Sequence, residues 1–259
     1  MPVDNQIYDD LAGTWWDENG FLNIIRTALN PVRFGYFTKV LLEDLKIAPQ
    51  DKRALDIGCG GGLLAEEFAA LGCRVTGVDP SEESLQTARR HAAARGLDIQ
   101  YRRGAGENIP CPDATFEIAY CCDVLEHVED LNKVIAETAR VLKPRGVYFY
   151  DTVNRTFKSR LVTIKLFQEW KWTRFMPRHL HDWNMYIKPE ELTSMMLRHG
   201  LENRGMTGMT AGINPVQLIR ALRRRRKGEI SYAELGRSFQ LKADPDLSVM
   251  YAGYAVKGG

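Results

Sequence analysis

Residues 53–63 read RALDIGCGGGL, and this stretch decides the fold. An apolar run, Ala54 to Ile57, carries an acid at Asp56 and breaks into Gly58-Cys59-Gly60-Gly61-Gly62. A helical pattern from Leu63 to Leu71 follows at once, so the order is strand, tight turn, helix. Glycine takes positive φ and has no Cβ, so the turn can be sharp and a ligand can lie on its backbone. The helix N-terminus behind it offers unpaired N–H groups to a polar or anionic group. Working outward, residues 73–79, CRVTGVD, read as a second strand ending in Asp79, 23 positions beyond Asp56. A carboxylate at that tip is placed to accept hydrogen bonds from ribose hydroxyls.

A dinucleotide fingerprint would need a glycine at position 63, which is Leu63. The form D-x-G-x-G-x-G, with its acid inside the first strand, instead resembles motif I of class I S-adenosylmethionine (SAM) methyltransferases. The resemblance implies SAM as cofactor. A nicotinamide enzyme and a cofactor-free Rossmann-like module are the alternatives.

Composition narrows the classes. A chain of 259 residues suffices for one large α/β domain with insertions. A net charge of +2 gives no global reason to expect a nucleic-acid partner. The five cysteines, Cys59, Cys73, Cys111, Cys121 and Cys122, show no zinc spacing and read as reduced cytosolic thiols. No signal peptide opens the chain, and no apolar run reaches the roughly 18 residues of a membrane span.

The rest of the chain supplies a β-α-β-α order. Helix 81–95 is capped by Ser81, strand three is 98–103, and Gly106 and Glu107 lie in the loop after it, beside the expected adenine. Strand 116–122 ends at Cys122, helix 130–142 carries the stripe Leu131, Val134, Ile135, Thr138, Val141, and Lys143 to Gly146 stop it before strand 147–153. A helix over 189–199, a strand over 201–209, a helix over 215–227 and a last strand within 247–256 follow. This is a Rossmann-like, mostly parallel seven-stranded sheet with helices on both faces and an antiparallel last strand. Ligands on such sheets lie at the carboxyl ends of the strands, where Asp56, Gly58, Gly60, Asp79, Gly106, Glu107 and Cys122 are all expected. The domain is single, 1–259. Residues 1–35, with Tyr8, Trp15, Trp16 and Phe21, form a flap or lid whose Arg33 is a candidate for the SAM carboxylate. Insertions at 155–185 and 211–240 cap the sheet.

Two stretches carry candidate chemistry beyond the cofactor. In DVLEH, residues 123–127, a helix would align Asp123, Glu126 and His127 on one face. Two carboxylates and an imidazole suit a divalent cation, Mg²⁺ or Zn²⁺, although a packing role for the histidine fits too. Residues 158–176 mix aromatic and basic residues, as expected of a membrane-surface segment or of an ordinary substrate cap. His179 and His181 close it, and His181 is a candidate base. The run Arg223 to Lys227 reads as a solvated helix end or a patch for an anionic lipid or substrate.

Together these blocks resemble the ubiquinone-biosynthesis O-methyltransferase family. Trp15-Trp16-Asp17 with Asn30-Pro31-Val32-Arg33 is similar to its W-W-D…N-P-x-R lead. Residues 123–128, DVLEHV, are similar to its E-x-x-E-H-V metal segment, with Asp123 in place of the first Glu. His181-Asp182-Trp183 and Pro189-Glu190-Glu191-Leu192 are similar to its H-D-W…P-E-E-L block. The resemblance implies methylation of a phenolic or catechol hydroxyl on a polyprenylated quinone precursor. It implies metal at Asp123, Glu126 and His127, catalytic roles for Glu126, His127 and His181, and a cytoplasmic protein peripheral on the inner face of the membrane through 158–176. Thr27 stands near where the family has a histidine, and residues 221–240 are longer than in the family. Both departures leave open a soluble secondary-metabolite acceptor served by the same cofactor site.

Overall fold

Strand β1 (Arg53–Ile57) is buried along all but its first residue, as an apolar run flanked on both faces must be. In the computed structural model, which describes residues 6–259, it is the third strand of the sheet, at the middle of its parallel part. It pairs in parallel with β2 (Arg74–Asp79) on one side and β4 (Phe116–Cys121) on the other. β3 (Gln100–Arg103) and β5 (Leu142–Val153) extend the parallel part outward. β6 (Leu201–Ala211), β7 (Leu241–Asp244) and β8 (Met250–Lys257) complete the order β3-β2-β1-β4-β5-β8-β6-β7. β8 inserts antiparallel between β5 and β6. The chain changes direction across the sheet between β1 and β4, which opens a crevice at their carboxyl ends.

The sheet has eight strands, one more than the sequence pattern predicts. The extra strand, β7, pairs only with the far part of β6 and has no fully buried residue, so LKAD carries no apolar alternation. Residues 143–146 end the preceding helix as expected, but as a bulge inside β5 rather than a turn before it. Phe116 pairs with Leu142, and Ile118 with Val147.

Alternation along β5 separates two core layers: Tyr148 and Tyr150 face one, Phe149 the other. α5 (Leu131–Val141) and α7 (Pro189–Arg198) cover the first face with Val134, Ile135, Leu192 and Met196. α2 (Asn30–Lys39), α3 (Leu63–Ala70) and α4 (Glu82–Ala94) cover the second with Phe37, Phe68 and Leu85. The Ser81 hydroxyl caps α4 by accepting from the Ser84 amide at 3.1 Å, as the sequence predicts.

A third core joins the N-terminal segment to both insertions. Trp15, Phe21 and Leu22 pack with Phe175 and Leu180, and with residues of α8 (Pro215–Arg226) and α9 (Tyr232–Ser238) such as Leu222 and Leu235. Each such side chain contributes about 1.5–3 kcal/mol by burial, and the N-terminal segment and the insertions share one packed core. In the first insertion α6 (Phe157–Ser159) runs into wide π-type turns over Arg160–Glu169. Ser159, Thr163, Ile164 and Gln168 are buried at spacings of four to five. Leu161 is exposed, because the wider turn places it off the buried stripe.

Candidate active site

The glycine turn between β1 and α3 is held to the tip of β2. The Gly58 and Cys59 amides donate to the Val78 carbonyl at 2.8 and 3.1 Å, and the Gly60 amide donates to Asp79 Oδ2 at 2.8 Å. Asp79 Oδ1 accepts from the Ser81 amide at 2.9 Å. Burial pushes the Asp79 carboxyl up to about 6, against the pull of these two amides. Asp56 is buried inside β1 with Oδ2 unpartnered, and desolvation raises its carboxyl well above the usual range. The Gly104 amide donates to the Asp79 carbonyl at 3.1 Å, which brings the loop after β3 alongside, and Gly106 packs near Ile57 at the end of β1. Glu107 accepts from the Glu129 amide at 3.1 Å, so one of its oxygens ties down the loop before α5. Cys122 is buried just past β4, and desolvation raises its thiol out of reactive range.

The N-terminal segment lies on this turn. The Trp16 indole donates to the Gly61 carbonyl at 2.8 Å, and the Trp15 indole to Ser84 Oγ at 3.1 Å. A Cβ at Gly60 or Gly61 would run into the Trp15 ring. Trp16 also stacks on His91, ring centroids 3.4 Å apart, and His91 Nδ1 lies 2.7 Å from Glu66 Oε1.

Residues 123–127 do not form the expected helix. Asp123 takes φ 55° in the left-handed region, which Asp tolerates, and the His127 amide closes a turn on the Val124 carbonyl. Arg33 Nη1 donates to Asp123 Oδ2 at 2.5 Å and to Asp151 Oδ2 at 2.9 Å. Its Nε and Nη2 donate to Asn30 Oδ1 at 3.0 and 2.7 Å. Arg33 thus stands at the crevice end but is engaged by the protein's own acids. Asp123 is drawn out of the predicted ligand trio by the same ion pair.

His181 takes the vacated place. Glu126, His127 and His181 each offer a ligand atom, all within 4.8 Å of one another, and form the one such group among the described residues. Glu126 Oε1, His127 Nδ1 and His181 Nδ1 are buried without a hydrogen-bond partner. Thr152 donates to Glu126 Oε2 at 2.7 Å. Gln168 holds His181 in place through both its backbone amide and its carbonyl, at 2.9 and 3.1 Å. Burial pushes Glu126 up to about 8, helped by the charge of Asp123. Burial lowers both imidazoles, His181 to about 4, so both are neutral near pH 7. The Tyr8 hydroxyl of α1 (Gln6–Asp10) lies 3.5 Å from His127 Nε2.

Asp151, Thr152, Ser84 and Gln168 escaped the sequence reading. Asp151-Thr152 did leave a signal, two polar residues directly after the apolar run Val147 to Tyr150 near the carboxyl end of β5. Ser84 and Gln168 left none, because only tertiary packing gives them their partners.

Residues 55–150 match a family model described as a methyltransferase domain. The ubiquinone biosynthesis O-methyltransferase of Bordetella avium (strain 197N) is 37% identical over 216 residues, 83% of this chain and 86% of that protein. The chain belongs to the ubiquinone biosynthesis O-methyltransferase family. The family member from Paraburkholderia phymatum is 35% identical over 252 residues, 97% of this chain and 96% of that protein. Among solved structures, a SAM-dependent methyltransferase from Thermotoga maritima is similar with TM-score 0.59 and 19% identity, covering 98% of this chain and 99% of that one. The [4+2]-cyclase SpnF is similar with TM-score 0.57 and 18% identity, over 86% of this chain and 80% of that one. Likeness at this level establishes the fold alone, and one such fold carries several chemistries. Family membership makes the protein a SAM-dependent O-methyltransferase. No helix among the described residues is long and apolar enough to cross a membrane.

Proposed function

We propose that the protein transfers the SAM methyl group to a phenolic or catechol hydroxyl of a polyprenylated quinone precursor. In this reading a divalent cation is held by Glu126, His127 and His181. The single observation that carries it is the convergence of Glu126, His127 and His181, whose ligand atoms lie within 4.8 Å of one another; each residue also keeps one buried polar atom without a partner. The names of the relatives support the acceptor class. One carboxylate and two neutral imidazoles favour Zn²⁺ or a similar borderline ion over Mg²⁺, which prefers oxygen donors.

Magnitudes favour a cation over a simple base. A phenol ionises near pH 10, whereas His181 holds a proton only below about 4. Unaided transfer from the phenol to this imidazole would be unfavourable by about a million-fold. When bound, the cation supplies Lewis-acid stabilisation of the phenolate. The protein's own groups do the rest. Asp79 accepts from the ribose hydroxyls, and the Gly58–Gly62 turn lets the donor lie on the backbone. Thr152 and Gln168 orient Glu126 and His181. The Trp15–Trp16 segment closes over the cofactor turn and keeps water from the alignment of methyl and oxygen. The exposed Trp170, Trp172, Phe157 and Leu161 support contact of the first insertion with the bilayer that holds such acceptors. The protein would then be cytoplasmic and peripheral on the inner face.

The test is metal content. Wild-type protein dialysed against Zn²⁺ or Mg²⁺ and freed of excess should retain an ion by atomic emission, and E126A should lose it. S-adenosylhomocysteine affinity should stay within about twofold, since the sites are separate. Equal metal content and equal turnover in E126A would return the trio to a packing role.

A further inference from the structure

Away from the methyl-transfer crevice, the two insertions border an open surface pocket of about 470 Å³. Arg174 and Phe175 enter it from the first insertion; Arg225, Arg226 and Lys227 from the end of α8; and Tyr232 from the start of α9. No acidic residue lines it. Among the described residues, Arg174, Arg225 and Arg226 have no carboxylate within salt-bridge distance, while Lys227 shares Glu229 at 3.6 Å.

Arg225 is the most constrained of these cations. Its guanidinium lies 4.0 Å over the Tyr232 ring, and its one hydrogen bond is Nη1 to the Ile230 carbonyl at 3.1 Å. Nε is buried without a partner, so five N–H donors meet a single acceptor. The ring beneath is itself fixed: the Tyr232 hydroxyl donates to the Phe175 carbonyl at 3.2 Å, and Phe21 packs on its edge.

Helix-end electrostatics do not account for the arrangement. A helix C-terminus carries about half a negative charge. The last turn of α8 holds Arg223, Arg224, Arg225 and Arg226, and of these Arg223 and Arg226 repel one another at i, i+3 spacing. Arg174, from a separate element, adds to the excess instead of relieving it. A preformed pocket with several unpaired guanidinium groups and an aromatic floor has the chemistry of an oxyanion site, since the Arg fork matches phosphate oxygens.

We propose that this pocket binds a phosphate-class oxyanion, either a free phosphoryl ligand or the headgroup of an anionic lipid. The site shares the Trp15–Phe175 core with the lid over the cofactor turn but is independent of the methyl acceptor.

The test titrates the full-length protein with inorganic phosphate at fixed ionic strength by calorimetry. Saturable binding is expected. R174Q and R226Q should each weaken it roughly five- to tenfold, the loss of one charge-assisted hydrogen bond. R223Q, on the same helix but outside the pocket, should leave it unchanged. Thermal midpoints in chloride check that each variant is folded. No saturation in wild type, or equal weakening in all three variants, would overturn the proposal. A second arm identifies the source by sedimentation with phosphatidylcholine vesicles with and without phosphatidylglycerol. Vesicle binding lost in R174Q and R226Q but kept in R223Q assigns the site to a headgroup. Vesicle binding alike in all three, together with selective loss of phosphate binding, assigns it to a soluble ligand.

Discussion

Asp79 shows how one carboxylate is kept ready for a neutral ligand. Burial raises it to about 6 in the folded chain, above its ordinary value near 4. The sign follows from linkage. The ionised form costs stability above pH 6, and that cost is relieved as pH falls through the folded value. In the proposed function ribose hydroxyls donate to the ionised form, so cofactor binding and protonation would compete. S-adenosylhomocysteine affinity should therefore be flat above pH 7 and weaken about tenfold by pH 5. D79N should weaken binding by about a hundredfold at pH 7 and abolish the pH dependence. A flat wild-type profile by calorimetry would place the ribose elsewhere. This residue was legible in the sequence because strand, acid and spacing are local signals. His181 was legible only as a lone candidate base. Its partnership with Glu126 and His127 rests on the Arg33–Asp123 ion pair, which links positions 90 apart in the chain.

The element that most distinguishes this cofactor site is the N-terminal segment against the glycine turn. Gly61 is small because the Trp15 side chain occupies the space a Cβ would need. G61A should cost about 1–3 kcal/mol by overpacking, and close to nothing in a W15A background. A double-mutant cycle from denaturant midpoints measures this; additive costs would mean that Trp15 does not press on the turn in solution. The β-α-β-α half of the chain followed from its pattern because its central strands are short runs buried on both faces and its helices carry one apolar stripe. DVLEH departs for a physical reason from the helix that would align its three side chains. Its i, i+3, i+4 spacing is helical, but the Asp123 amide donates to Asp151 and its carboxylate binds Arg33, and these contacts hold a left-handed turn. The π-type turns of 160–169 and the edge strand β7 were equally hidden, the first by a non-helical period and the second by its polarity.

At the scale of the whole molecule, one rim of the sheet brings together the glycine turn and the Glu126, His127 and His181 cluster. The carboxyl ends of β1 and β2 hold the cofactor turn; the segment after β4 and the end of β5 supply Glu126 and Thr152. The N-terminal segment and both insertions meet in a single apolar core rich in aromatic residues; in the proposed function this core would couple closure over the cofactor turn to the shape of the acceptor entrance. The exposed tryptophans Trp170 and Trp172 project from that same cap. An acceptor that lives in a bilayer would then reach the crevice from the side the cap presents to it. The most direct measurement is transfer of isotopically labelled methyl from SAM by the purified protein to a polyprenyl catechol carried in vesicles, run beside a soluble catechol lacking the tail. Label on the catechol oxygen of the polyprenyl acceptor, lost in E126A, is the result predicted. SAM binding without transfer to the polyprenyl catechol, or faster transfer to the soluble one, would contradict the account.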